Sequence, residues 1–238
     1  MTVLSDIKIK LDTEELTAYL HEGKSSRKLV TKAEEVLNES KNLLQPAAAY
    51  EQIKILEVTN NAVLCSGINA PKVWLNIGQC SELMKKAAAA ITSVVTIGFE
   101  LDKRVKNLNL QGDYLSAWLM DAIGLIALEQ AVSKIQRTAV IEAKKNMWRT
   151  GPFLSPGSID GWPLSEQKKF CSLVPIDRID VQLNKSNVLV PLKSVSGIIG
   201  IGPEYSSGKI ESICRFCAQS SSCRIRAAKL KMKLRGCE

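Results

Sequence analysis

The chain has 238 residues, 45% hydrophobic and 24% charged, with a formal net charge of +8 and seven cysteines. This balance excludes a disordered or fibrous chain and gives enough material for one good core or two small ones. Residues 1–12, MTVLSDIKIKLD, carry charge where a secretory signal needs its apolar region, and no apolar run is expected to cross a bilayer, so the expectation is a cytoplasmic protein with no membrane partner. Much of the basic excess belongs to the tail, where Arg224, Arg226, Lys229, Lys231, Lys233 and Arg235 fall within the last fifteen residues. Such a tail is a solvated edge or a contact for an acidic partner; nucleic acid has no other support in the chain.

In chain order, residues 7–11 (IKIKL) alternate apolar with Lys as a half-buried strand does, and the Glu-rich stretch after them predicts a short helix. Residues 27–44 keep Val30, Ala33, Leu37 and Leu44 at near-helical spacing, an amphipathic helix ended by Pro46. Residues 50–67 predict two strands turning at Asn60 and Asn61, residue types that tolerate positive φ. Residues 71–78 predict a further strand, and Ser81 is placed to cap a helix running through the alanines at 87–90. The β-branched run 92–98 (TSVVTIG) has the composition of a strand buried on both faces. A short helix at 100–106 precedes Asp113, an N-cap for a long helix over 114–145 whose first half is apolar nearly all round. Interleaved strand and helix patterns argue for a mixed α and β protein.

Residues 148–169 organise the rest. Gly151, Gly157 and Gly161 alternate with Pro152, Pro156 and Pro163, so this stretch predicts one defined irregular path, either a ligand-facing loop or an interdomain linker. Phe153 and Trp162 among the turn residues favour the loop. Ser165 then caps a helix through 173, stopped by Pro175, and residues 176–183 and 187–192 predict strands. The glycines of 194–203 (SVSGIIGIGP) run Gly197-x-x-Gly200-x-Gly202, the reverse of a dinucleotide fingerprint with no helix after it, which argues against a phosphate cradle.

Cys65, Cys80 and Cys171 sit in apolar surroundings and are expected to be buried small hydrophobes. Cys214, Cys217, Cys223 and Cys237 crowd the end as C-x2-C-x5-C with one more after thirteen intervening residues. Two thiolates two residues apart can grip one metal, and a third or fourth completes a sulfur set for zinc or an iron-sulfur cluster; the alternative is a reduced, exposed terminus. If one is a spectator it is Cys237. His21 is the single histidine and is expected on the surface, with no nucleophile motif near it. No catalytic acid/base set is evident, so bound-cofactor chemistry or no chemistry remains.

Three segments together resemble a known family. Residues 155–167 (SPGSIDGWPLSEQ), 190–203 (VPLKSVSGIIGIGP) and 214–226 are similar in kind and order to the reactivation region of cobalamin-dependent methionine synthase, in particular its short stand-alone relatives in anaerobic microbes. Residues 94–105 and 112–129 resemble that family's TIG and long-helix blocks. The resemblance implies an α+β fold, a curved mixed, largely antiparallel sheet flanked by helices, over residues 1–205, followed by a Cys-rich basic segment at 206–238. It also implies an S-adenosylmethionine site beside the face where a corrinoid docks, with the corrinoid on a partner protein or on the methionine synthase core. The chain has no Asp-x-His-x-x-Gly segment to carry its own. Ser155, Pro156, Gly157 and Ser158 with Ser194, Val195, Ser196 and Gly197 would line the ligand face. The family's Arg-x-x-Pro-Gly-Tyr pattern is altered here: Phe153 and Ser158 stand at the Arg and Tyr positions, removing a carboxylate clamp, and Arg149 is the nearest substitute. The implied function is an accessory component supporting reductive remethylation of a corrinoid protein. The alternative is a non-catalytic binding module with a structural Cys-ligated metal and a degenerate donor site.

Overall fold

The structure, a computed structural model, describes residues 2–20, 27–67, 72–206 and 221–222, with side chains 17–20 excluded. The elements follow in order: β1 (Thr2–Leu4), α1 (Thr13–Leu20), α2 (Arg27–Ser40), β2 (Ala47–Val58), β3 (Ala62–Ser66), β4 (Lys72–Asn76), a 3-10 helix (Gly78–Met84), β5 (Ala89–Thr96), α3 (Glu100–Leu110), α4 (Tyr114–Lys145) and β6 (Arg149–Leu154). After these come a 3-10 turn (Leu164–Glu166), α5 (Gln167–Cys171), a second 3-10 helix (Ile176–Ile179), β7 (Gln182–Leu183), β8 (Leu189–Val190) and β9 (Ser194–Gly202).

Seven strands form one sheet in the order β4-β3-β2-β5-β9-β6, with β1 also on β2. Every pairing is antiparallel. β5 is central and buried along all eight residues, as its β-branched composition requires. The pleat sends alternate residues to two covers. Ala48, Ile91, Val95 and Ile199 meet α4, which lays Ala131, Ile135 and Ala139 against them at four-residue steps. Ala49, Ile53, Ala90, Val94 and Ile198 face the opposite way and are covered by the segment after β6, with Trp162, Phe170 and Leu173. The first half of α4 packs instead with α1, α2 and α3 through Leu16, Val36, Leu101, Leu119 and Ile123. That explains why it is apolar nearly all round. In length and composition α4 does satisfy the requirement for a bilayer span, contrary to the expectation from sequence, and 56% of its most apolar window is buried inside the protein.

Several expected elements differ. Residues 7–11 form no strand: Ile7 and Ile9 pack beneath α4, and the side-chain amide of Gln130 brackets Lys10, accepting from its N–H at 2.9 Å and donating to its carbonyl at 2.7 Å. The alternation records burial, not pairing. α2 stops at Ser40, whose hydroxyl returns to the Val36 carbonyl at 2.7 Å, well before Pro46. The alanine tract is not helical: Ala89 and Ala90 belong to β5, paired with Ile201 and Gly200, and Ser81 lies buried inside a 3-10 helix without capping it. Here sheet pairing overrides local propensity. Residues 149–154 are strand rather than loop, with a register shift between Thr150 and Phe153 that lets Pro152 sit in an edge strand. Ser165 lies within a 3-10 turn, and the helix after it ends at Cys171. Residues 176–179 form a 3-10 helix in place of most of the strand expected over 176–183. Asp113 caps α4 as expected, accepting from the Ser116 N–H at 3.1 Å.

Candidate functional site

β9 pairs β5 through Ser194↔Thr96 and Ser196↔Val94, and β6 through Leu154↔Ile198. The chain leaving β6 therefore starts alongside residues 194–197. Two segments far apart in sequence, 155–158 and 194–197, are brought together at one end of the sheet's centre. Arg149 is not with them. It pairs with Gly202 at the other end of the β6–β9 ladder, and its Nη1 donates to the Ser206 carbonyl at 2.9 Å.

The face shared by these segments carries a polar seam within an otherwise apolar layer. The Ser194 hydroxyl donates to Thr96 Oγ1 at 2.9 Å, and the Ser196 hydroxyl donates to Gln167 Oε1 at 3.0 Å. Ser155, Ser196, Thr96 and Gln167 are each at most 3% exposed. Buried hydroxyls need such partners, and Ser194, Thr96 and Ser196 find theirs within the protein. Glu166 adds a second tie: its carboxylate accepts from the Asn76 N–H at 3.1 Å and from Lys169 Nζ at 2.9 Å, joining the covering segment to β4. Neither Gln167 nor Glu166 stood out in the sequence, because in a pattern of charges and amides both read as solvent-facing helix residues.

The path of 155–162 is fixed by glycine. Gly157 (φ 74°) donates its N–H to the Trp162 carbonyl at 2.9 Å, closing the loop. Gly161 (φ 81°) rests against Gly78 (φ 58°), where a Cβ on Gly78 would come within 2.8 Å of the Gly161 Cα. The loop presents backbone to backbone of the same protein at that point. Trp162 is fully buried and meets Phe170 edge-on at 5.9 Å, so this aromatic anchors the covering segment in the core. Gly157 is exposed and Ser158 half-buried.

Phe153, at the position of the family's arginine, points to the α4 side of the sheet. Its ring occupies the space over Gly197, where any Cβ would collide with it. An S-adenosylmethionine carboxylate finds no cation at this position, and the residues present do not fit that donor by the family's clamp.

Immediately before Ser194, Lys193 is 7% exposed and reaches back into the helical layer. Its Nζ donates to Asp121 Oδ1 at 2.6 Å and Asp102 Oδ1 at 3.1 Å, while Asp102 Oδ2 accepts from the Leu192 and Lys193 N–H groups. Burial alone would lower the lysine's pKa, but the hydrogen bonds and charges of Asp121 and Asp102 outweigh it and hold the ammonium above its usual range. The lysine stem crosses Gly124 of α4, where a Cβ would sit 2.6 Å from its Cδ. Nothing in the sequence linked these charges across 91 and 72 residues.

Cys65 and Cys171 are buried thiols whose pKa burial pushes up to about 12, and burial raises Cys80 as well, followed by the charge of Asp160. All three are the small hydrophobes expected. Cys214, Cys217, Cys223, Cys237 and His21 lie outside the described residues; among the described residues no group of three His, Cys, Asp or Glu could hold a metal ion.

No protein-family model matches this chain, and no curated protein matches it either. Among solved structures it is similar to the MetH reactivation domain bound to AdoHcy, with a TM-score of 0.59 and 15% sequence identity, covering 87% of this chain and 80% of that one. At that identity the likeness shows the fold: an α+β arrangement with a seven-stranded, antiparallel sheet and flanking helices, like that of the MetH reactivation domain.

Proposed function

We propose that this chain is a cytoplasmic accessory component of cobalamin-dependent methyl transfer, docking on a separate corrinoid protein or a methionine synthase core and supporting reductive reactivation of its cobalamin. The observation that carries the reading is the meeting of the two family-like segments, 155–167 and 190–203, at one place on a fold like that of the MetH reactivation domain. Cys214, Cys217, Cys223 and Cys237 would hold a zinc ion or an iron-sulfur cluster that orders the C-terminal segment or passes the reducing electron. The packing of Phe153 on Gly197 favours a second reading on one point: the donor site is degenerate, and the chain is a binding module for the corrinoid protein without transferring a methyl group itself.

Anaerobic mixing with corrinoid proteins in the cob(II)alamin state, with reductant and S-adenosylmethionine, tests both. Faster loss of the cob(II)alamin spectrum supports reactivation. Complex formation with an unchanged spectrum supports the module, and absence of any complex overturns both. Metal content separates the roles of the thiols: broad visible absorbance with iron favours electron transfer, one zinc with a featureless spectrum favours structure.

A further inference from the structure

Beyond the Ser194 end of β9 lies a cavity of about 520 Å³, where the residues after β1, the approach to β2, the exit of β5 and the second 3-10 helix converge. That is the size range of small-molecule sites. Its apolar lining includes Leu44, Pro46, Phe99 and Ile179. Its charged lining is Arg178 and Asp180, both exposed, and among the described residues neither side chain has an ion pair or hydrogen bond. The contrast with the neighbouring charges is sharp in kind: Lys193 takes Asp102 and Asp121, and Arg104 takes Glu39.

Asp180 ends the 3-10 helix in the left-handed region (φ 54°, ψ 33°), with its N–H turned back to the Asp177 and Ile176 carbonyls. Thr96 also borders this space but is 1% exposed, with its Oγ1 engaged by the Gly98 N–H at 3.1 Å and the Ser194 hydroxyl at 2.9 Å.

We infer that this cavity binds a small zwitterion of the α-amino-acid type with an apolar side chain. The Arg178 fork takes the carboxylate, Asp180 takes the ammonium, and Leu44, Pro46 and Phe99 receive the apolar body. The paired charges decide the class: a simple anion would face Asp180, and a simple cation would face Arg178. The site is separate from residues 155–158 and does not depend on corrinoid docking.

Calorimetric titration of the full chain with L-leucine and L-phenylalanine is the test, alongside leucinamide and N-acetyl-leucine, which each keep one charge. Millimolar or tighter binding of a free amino acid is expected, with each blocked analogue weaker by about tenfold or more. Arg178→Ala and Asp180→Asn should each cause a similar loss without lowering the melting temperature, since both side chains are exposed and asparagine tolerates the left-handed backbone. No binding of either free amino acid overturns the inference. So does equal binding by the blocked analogues, or binding unchanged in both variants.

Discussion

The two faces of the central sheet solve the same problem with different materials. On one face a single helix covers the strands, with small and branched side chains at four-residue steps. On the other, residues 155–174 cover them along an irregular path held by two positive-φ glycines, a buried tryptophan and hydrogen bonds from Ser196 and Asn76 to Gln167 and Glu166. The helical cover satisfies its own backbone and needs only apolar fit. The irregular cover must be bonded to the sheet point by point, so its integrity rests on a few polar residues.

The largest expected effect comes from treating the two faces as interchangeable. Phe153→Arg, which places there the arginine of the family that the sequence resembles, would bury an unpaired guanidinium against α4 and cost about 3–5 kcal/mol. Chemical denaturation should show it nearly or wholly unfolded, whereas Ser158→Tyr, in the half-exposed loop, should remain folded. If Phe153→Arg folds normally and gains S-adenosylmethionine binding, the assignment of that side chain to the helical face is wrong. Trp162→Ala should cost about 3–5 kcal/mol by removing the anchor of the irregular cover. Amide hydrogen exchange in that variant should rise first across residues 155–174 and only later in α4; simultaneous loss would mean that the two covers are one cooperative unit.

The next effect concerns the charge cluster beside Ser194. Asp102→Ala should cost about 2 kcal/mol, because it strips a partner from the buried ammonium and from two backbone N–H groups. Asp121→Asn should cost less, about 0.5–1 kcal/mol, since that carboxylate is half exposed. The pH dependence has a definite sign. Lys193 has its pKa raised on folding, so its contribution is complete below the ordinary lysine range and is lost as pH rises through the higher folded value. The difference between wild type and Asp121→Asn should therefore be flat at neutral pH and shrink only in strong alkali; a loss near neutrality would contradict the raised pKa. Ser196→Ala should cost a similar amount, about 1 kcal/mol, partly recovered by Gln167→Met in the same chain.

The same contrast sets what was legible in the sequence. β5, the β2–β3 hairpin and α4 with its Asp113 cap follow from periodicity and capping, since each is specified by neighbours in the chain. The meeting of 155–158 with 194–197 was legible only through family resemblance. Residues 149–154 and the alanines at 89–90 were misjudged because proline, glycine and alanine carry weak or contrary propensities there, and pairing with β9 decides their state. The burial of Phe153 over Gly197 and the Lys193 cluster depend on contacts between distant segments, for which single residues give no local signal.

The amide of Gln130 has a wider consequence. A primary amide sets an N–H donor beside an acceptor much as a peptide group does, so a side chain on a helix stands in for one rung of a neighbouring strand at Lys10, and the amide nitrogen also donates to Glu15 at 3.3 Å. The N-terminal segment is thus held in three ways, by the β1–β2 pairing, by the burial of Ile7 and by this amide bridge to α4. A shift from amide to carboxylate at that one position would remove the donor half of the bridge and leave only the acceptor, while the strand pairing and the buried Ile7 remain.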